Sequence, residues 1–151
     1  MRMASASDVP RLVALMDEFY AEGGYPLNHR RAVAAFDGLL ADERFGRVWL
    51  IQSGGQDVGH VVLTVCYSME YGGPVAFIDD LFVQKAFRGA GLATAALADV
   101  RAFAVERGIR AIHLEVARDN APAQAAYRRA GFHPTDRQLL TLKLADPTHA
   151  D

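Results

Sequence analysis

The stretch from Phe77 to Thr94 constrains this chain more than any other. An apolar run, Val75 to Val83, is broken only by the acidic pair Asp79-Asp80. It passes into a polar, glycine-bearing loop, Lys85 to Gly91, and then into a long helical pattern from Leu92 to Arg107. That order reads strand, loop, helix. The first turn of a helix carries N–H groups with no partner inside the helix, and a partial positive charge. Small residues in the preceding loop let those amides approach an anion closely. Arg88 adds a formal charge. The segment Arg88-Gly89-Ala90-Gly91-Leu92-Ala93-Thr94 therefore reads as a phosphate cradle.

Two common phosphate loops do not fit it. A P-loop needs Gly-Lys followed by Ser or Thr, which is absent. A dinucleotide fingerprint needs Gly or Ala three residues after its second glycine, and Thr94 stands there instead. It would also follow the first strand of its fold, whereas this loop comes late. A nucleotide-binding regulator is disfavoured on both counts.

The rest of the chain alternates between two periods. Residues 1 to 5 suit an edge strand. Ser7 reads as the cap of a first helix, in which Leu12, Val13, Leu15, Met16, Phe19 and Tyr20 recur at helical spacing until Gly23-Gly24. Ala32, Val33, Ala35, Phe36, Leu39 and Leu40 mark a second helix. Arg47 to Gln52 and Val58 to Tyr67 form the arms of a hairpin around Ser53-Gly54-Gly55-Gln56-Asp57. Ile109 to Val116 alternates as a strand, and Asn120 to Ala130 is a short helix ended by Gly131. Gln138 to Leu144 reads as a last strand, with Leu140, Leu142 and Leu144 in step. The expectation is one α+β domain over residues 1–151, an antiparallel meander followed by a strand–helix–strand crossover.

Composition narrows the partners. The formal net charge is −2 and no run of Lys or Arg occurs, which argues against a nucleic-acid partner. No apolar stretch is long enough to cross a bilayer, and the first residues lack an apolar signal core. The single cysteine, Cys66, lies in an apolar run and reads as a buried, inert thiol. A chain without disulfides fits the cytoplasm. His29, His60, His113, His133 and His149 are scattered without metal-ligand spacing, so they read as solvated or core histidines and no metal is expected.

The loop resembles the acyl-CoA pyrophosphate loop of the GNAT N-acetyltransferases, whose pattern of Gln or Arg, two residues, Gly, one residue, then Gly or Ala is met by Arg88, Gly91 and Ala93. A second block, Asn120-Ala121-Pro122-Ala123-Gln124-Ala125-Ala126-Tyr127-Arg128-Arg129-Ala130-Gly131-Phe132, resembles the family's other motif at Asn120, Ala123, Tyr127, Gly131 and Phe132. The resemblance covers about residues 47 to 144 and fades in the first 45. It implies a twisted mixed sheet of six or seven strands flanked by about four helices, acetyl-CoA as cosubstrate, and a homodimer. It further implies that Leu81, Phe82 and Val83 offer backbone to the pantetheine arm, that the loop from Arg88 to Thr94 holds the pyrophosphate, and that Asn120, Ala123 and Tyr127 flank the cofactor.

Acetyl transfer needs a neutral amine, an aligned thioester, stabilisation of the carbonyl oxygen and a proton for the leaving thiolate. An alkylamine with a pKa of about 10.4 is mostly protonated at neutral pH, so a base must take a proton. Asp79, Asp80 and Glu115 are the candidate carboxylates, directly or through water. Backbone N–H near Leu81 to Val83 would polarise the carbonyl, and Tyr127 would protonate the thiolate. Asp79-Asp80 also resembles the acidic pair of the polyamine and diamine acetyltransferases. The first member there is usually Glu, and the shorter Asp79 favours a bridging water. Adjacent strand residues point to opposite faces, so at most one of the pair faces the pocket unless a bulge intervenes. Glu70 sits in a polar turn and is either a rim of the acceptor pocket or an ordinary turn residue. The sequence reading is an N-acetyltransferase for a small amine such as a polyamine or amino acid. Its alternatives are a protein N-terminal or lysine acetyltransferase and a non-catalytic acyl-CoA-binding module.

Overall fold

The computed structural model describes residues 1–144. Its centre is an antiparallel meander: β2 (Gly46–Ser53), β3 (Gln56–Ser68) and β4 (Gly73–Val83). A two-residue strand, β1 (Arg2–Met3), pairs antiparallel with β2 at one edge, and β5 (Ile112–Leu114) pairs parallel with β4 at the other. The strand order is β1-β2-β3-β4-β5. Parallel neighbours need a long crossover. Here it runs through α3 (Leu92–Glu106). Two helices, α1 (Val9–Glu22) and α2 (His29–Ala41), precede the meander, and α4 (Ala121–Arg129) follows β5.

The sheet is buried on both faces, and the two-residue period of its strands sorts the side chains. Val48 and Leu50 of β2, Val62 of β3 and Phe82 of β4 pack against Val9, Leu12, Val13 and Leu15 of α1 and against Ala32 and Phe36 of α2. Their neighbours Trp49, Ile51, Val61, Leu63, Ile78 and Val83 pack on the opposite face against Ala96, Leu97 and Val100 of α3. Burying each such side chain stabilises the fold by about 1.5–3 kcal/mol, so the register of the meander is fixed from both sides. At the far edge Arg2 bridges Asp8 and Asp57 at 2.8 and 2.7 Å, fastening β1 to the β2–β3 hairpin.

Several sequence expectations change on contact with the structure. The sheet has five strands among the described residues, not six or seven. Gln138 to Leu144 is not a strand; it forms no ladder with any other described segment, so its amides gain no inter-strand partners. The strand at residues 109–116 shrinks to Ile112–Leu114, because β4 offers it only three paired positions. Ser5, not Ser7, opens the first helical region: its backbone N–H donates to Asp8 Oδ2 at 2.8 Å ahead of a single 3-10 turn, Ala6–Asp8. Cys66 is exposed, not buried. Pairing of β2 with β3 stops at Gly46 and Thr64, so the β3–β4 hairpin projects beyond its neighbours and Cys66 rides on the projecting part.

Candidate active site

The decisive local feature is a bulge in β4. Leu63 pairs with Ile78 and Val62 pairs with Asp80, which leaves Asp79 opposite no residue of β3. Before the bulge Ala76 and Ile78 face α3; after it Leu81 and Val83 do so. The surplus residue therefore breaks the alternation between Ile78 and Leu81, and the acidic pair occupies the break. Asp80 is buried on the α1–α2 side, whereas Asp79 is exposed. Both carboxylates are felt by the phenol of Tyr20 on α1, whose pKa rises through burial and then through the charges of Asp80 and Asp79.

Asp79 is electrostatically crowded. Loss of solvent raises its carboxyl pKa first, and the neighbouring charges of Asp80 and Glu115 raise it further. The sign follows directly. A carboxyl that holds its proton more tightly when folded destabilises the fold as pH rises above its ordinary value of 3.8. Asp79→Asn should therefore stabilise the protein at neutral pH, with the gain vanishing toward pH 3. Because Asp79 is exposed, the gain should be small, a melting shift of about 1–2 °C. Thermal melts of both proteins from pH 3 to 8 measure it.

The bulge also marks where the sheet opens. β5 pairs with Ala76, Phe77 and Ile78 and no further. From Asp79 to Val83, β4 continues without a described strand on that side. Beside this divergence lies a groove of about 610 Å³ whose walls include Phe77, His113, Glu115, Tyr127, Phe132 and Arg137. Tyr127 also packs on the α3-side core, 6.0 Å between ring centroids from Phe132. Burial raises the pKa of its hydroxyl, so Tyr127 is in its protonated form at neutral pH. Arg137 pairs with Glu70 at 2.5 Å, so Glu70 tethers the chain after α4 to the β3–β4 turn.

The loop before α3 has the geometry of an anion cradle. Gly89 and Gly91 have φ of 82° and 78°, in the left-handed region that favours glycine, and the space where a Cβ would stand is open at both. The first ladder bond of α3 runs from Ala95 N–H to the Gly91 carbonyl at 2.9 Å, so the amides of Leu92, Ala93 and Thr94 have no such partner. These features fit the pyrophosphate of coenzyme A. Arg88 is already engaged: its Nε donates to the Val83 carbonyl at 2.7 Å, and its Nη2 pairs with Glu22 of α1 at 2.7 Å. Gln84 donates to Glu18 of α1 at 2.8 Å. In the second motif the Asn120 side chain accepts from Ala123 N–H at 3.2 Å and caps α4; Ala123 and Tyr127 are both half-buried.

The predicted residues thus fall into two groups. Asp79 and Asp80 sit where β4 leaves β5, Glu115 and Tyr127 line the groove beside β5, and Leu81, Phe82 and Val83 continue along β4. The residues from Arg88 to Thr94 lie beyond the end of β4. Two neighbours escape the sequence reading. Tyr20 looks like one more apolar position of α1. His60 looks like a scattered histidine, although the one ionisable residue inside the largely apolar run Val58 to Val65 is a signal that points to it.

Comparison with known proteins bears on the family and the fold. The model of the acetyltransferase (GNAT) family matches residues 12–132. Aminoglycoside N(6')-acetyltransferase type 1 of Stenotrophomonas maltophilia is 34% identical over 64 residues, 42% of this chain and 42% of that enzyme. An integron cassette protein from the mobile metagenome of Cole Harbour Salt Marsh is 45% identical with a TM-score of 0.88, covering 98% of this chain and 92% of its own. A predicted acetyltransferase of Clostridium acetobutylicum, solved with acetyl-CoA, shares the fold at 22% identity and a TM-score of 0.79, covering 93% of this chain and 94% of its own. The family match spans most of the described residues and includes both the glycine loop and the Asn120–Phe132 block, so this chain belongs to the GNAT acetyltransferase family, which draws its acyl group from acetyl-CoA.

Proposed function

We propose that this chain, acting as one domain, moves the acetyl group of acetyl-CoA to a primary amine of a small molecule that carries more than one positive charge. The observation that carries the reading is the bulge at Asp79. It gathers Asp79 and Asp80 beside Tyr20, with Glu115 close enough to perturb Asp79. Such a set of carboxylates attracts a polycationic amine and gives its ammonium proton somewhere to go. The partial match to an aminoglycoside acetyltransferase supports the same chemical class.

Acetyl-CoA supplies an activated thioester, and the chain's own residues do the rest. The amides of Leu92, Ala93 and Thr94 bind the pyrophosphate, and the backbone of Leu81 to Val83 lines the pantetheine arm. A carboxylate of the acidic set, Asp80 or Asp79 through water, accepts the proton of the amine. The amine nitrogen bonds to the acetyl carbon as the C–S bond breaks; Tyr127 delivers its proton to the departing sulfur and is reprotonated by the second proton that the nitrogen sheds in becoming the amide. Among the described residues no group of side chains suits a metal ion, and none of these steps calls for one. No described helix is long and apolar enough to cross a membrane. We place the activity in the cytoplasm, with neither membrane nor nucleic acid as a partner.

Homodimerisation belongs to the same reading. Leu139, Leu140, Leu142 and Leu144 are exposed, Leu140 at 86%, on the irregular segment after α4, of which Gln138 and Leu139 share the groove with β5. Leucines so placed favour burial against a second copy. Sedimentation should give a dimer at micromolar concentration; a strict monomer would remove this part of the proposal.

The function is tested by thiol release from acetyl-CoA against polyamines, aminoglycosides, amino acids and N-terminal peptides. Saturable release with a polycationic small amine is expected. Release only with peptides would transfer the reading to a protein acetyltransferase. Tight CoA binding with no release would point to a non-catalytic module.

A further inference from the structure

Behind the carboxylates lies a buried polar group that acetyl transfer, as described, does not use. His60 of β3 is 0% exposed and Asp80 is 8% exposed, within a core that is otherwise apolar. His60 Nε2 stands 3.5 Å from Asp80 Oδ2. The ring is enclosed by Phe19 of α1, Phe36 of α2 and Phe82 of β4, with centroids 6.4, 6.5 and 6.0 Å away. Its other nitrogen, Nδ1, is buried with no hydrogen-bond partner.

Packing does not account for a histidine here. A phenylalanine would suit three aromatic neighbours and leave no nitrogen unsatisfied, and a stranded buried polar atom costs about 1–3 kcal/mol. What the imidazole adds is one directed donor. A hydrogen on Nδ1 would have no acceptor, whereas Nε2 faces a carboxylate, so the ring hydrogen belongs on Nε2. Donation from Nε2–H to Oδ2 occupies one oxygen of Asp80 and leaves the other as the free acceptor. The separation of 3.5 Å is long for a hydrogen bond. Hydrogen bonds that serve a reaction are often long in the resting protein and shorten when the substrate arrives.

We infer that His60 is a positioning residue for the acceptor amine: its Nε2–H holds the Asp80 carboxylate from behind, so that the free oxygen meets the amine. The inference rests on the proposed placement of Asp80 at the acceptor. His60 itself touches no substrate. It also accounts for which of the two acidic residues is oriented, since Asp79 has only like charges as perturbing neighbours.

Two variants separate positioning from packing. His60→Phe keeps an aromatic ring and removes the donor; His60→Gln restores an N–H near the place of Nε2. With the best amine of the panel, His60→Phe should lower kcat about 10-fold while KM for acetyl-CoA stays within about twofold, and His60→Gln should recover most of the loss. In an Asp80→Asn background His60→Phe should change nothing further, because the group it orients is gone. In the ligand-free protein, 15N-histidine NMR should show His60 with its hydrogen on Nε2, at a resonance that moves in Asp80→Asn. Parental kcat in His60→Phe, equal losses in the Phe and Gln variants, or full additivity with Asp80→Asn would each overturn the inference. So would a hydrogen on Nδ1, even before an acceptor is known. If Asp80→Asn alone keeps parental turnover while the NMR contact is present, the assignment of Asp80 to the chemistry fails, and the positioning role fails with it.

Discussion

Tyr127→Phe should lower kcat by about 100-fold and leave acetyl-CoA binding almost untouched. The argument starts from what the substitution keeps. The ring of Tyr127 packs against the α3-side core and Phe132, and phenylalanine fills that space equally well. What disappears is a hydroxyl whose burial holds its proton in place beside the opening of β4 and β5. Proton transfer by a positioned side chain contributes about 10²–10⁴ in rate. The lower end applies here, because a thiol with a pKa of about 8.5 departs readily as thiolate. Steady-state thiol release gives kcat, and calorimetric titration with CoA gives the affinity. An unchanged kcat, with chemistry limiting the rate, would remove Tyr127 from the mechanism.

The second large effect is on stability. In the β3–β4 ladder Gly59 pairs with Val83, and a Cβ at Gly59 would stand 2.2 Å from the Phe82 carbonyl oxygen and 3.1 Å from Val83 Cα. Both obstacles are backbone, so the two strands must part. Gly59→Ala should cost about 3 kcal/mol and lower the melting temperature by about 6–12 °C. It should also raise KM for acetyl-CoA, because the strand that must yield is the one proposed to line the pantetheine arm. Gly38→Ala is the control. Gly38 lies inside α2 with open space where its Cβ would be, so the same chemical change should stabilise the protein by about 0.5–1 kcal/mol. Thermal melts of the two variants should move in opposite directions.

Much of this was legible in the sequence, and the reasons are local. The meander and the long α3 follow from hydrophobic period and turn chemistry, which neighbouring residues settle among themselves. The turn of the loop before α3 was legible because glycine at residues 89 and 91 announces a backbone other residues avoid. What escaped depends on residues far apart in the chain. The bulge is a mismatch between β3 and β4, and Asp79-Asp80 looks the same with or without it. The burial of His60 depends on Phe19, Phe36 and Phe82 converging from three elements. Cys66 was misjudged because an apolar run says nothing about how far a hairpin extends past its neighbours. Leu140, Leu142 and Leu144 do keep a strand's period, but a strand also needs an edge to join, which no string of side chains supplies.

The bulge has a meaning beyond its geometry. Asp79 is one residue more than the ladder requires. If its codon were deleted, Ile78 and Asp80 would occupy successive rungs, Leu81 would keep its face, and β4 could zip onward along β5. The shortened protein would carry a more regular sheet and less crowded charge, so heat and denaturant would select it over its parent. It would also lose the opening in which the proposed chemistry is placed. On the proposed function the capacity to act is held as an irregularity of the sheet, and a screen for stability alone would repair it away.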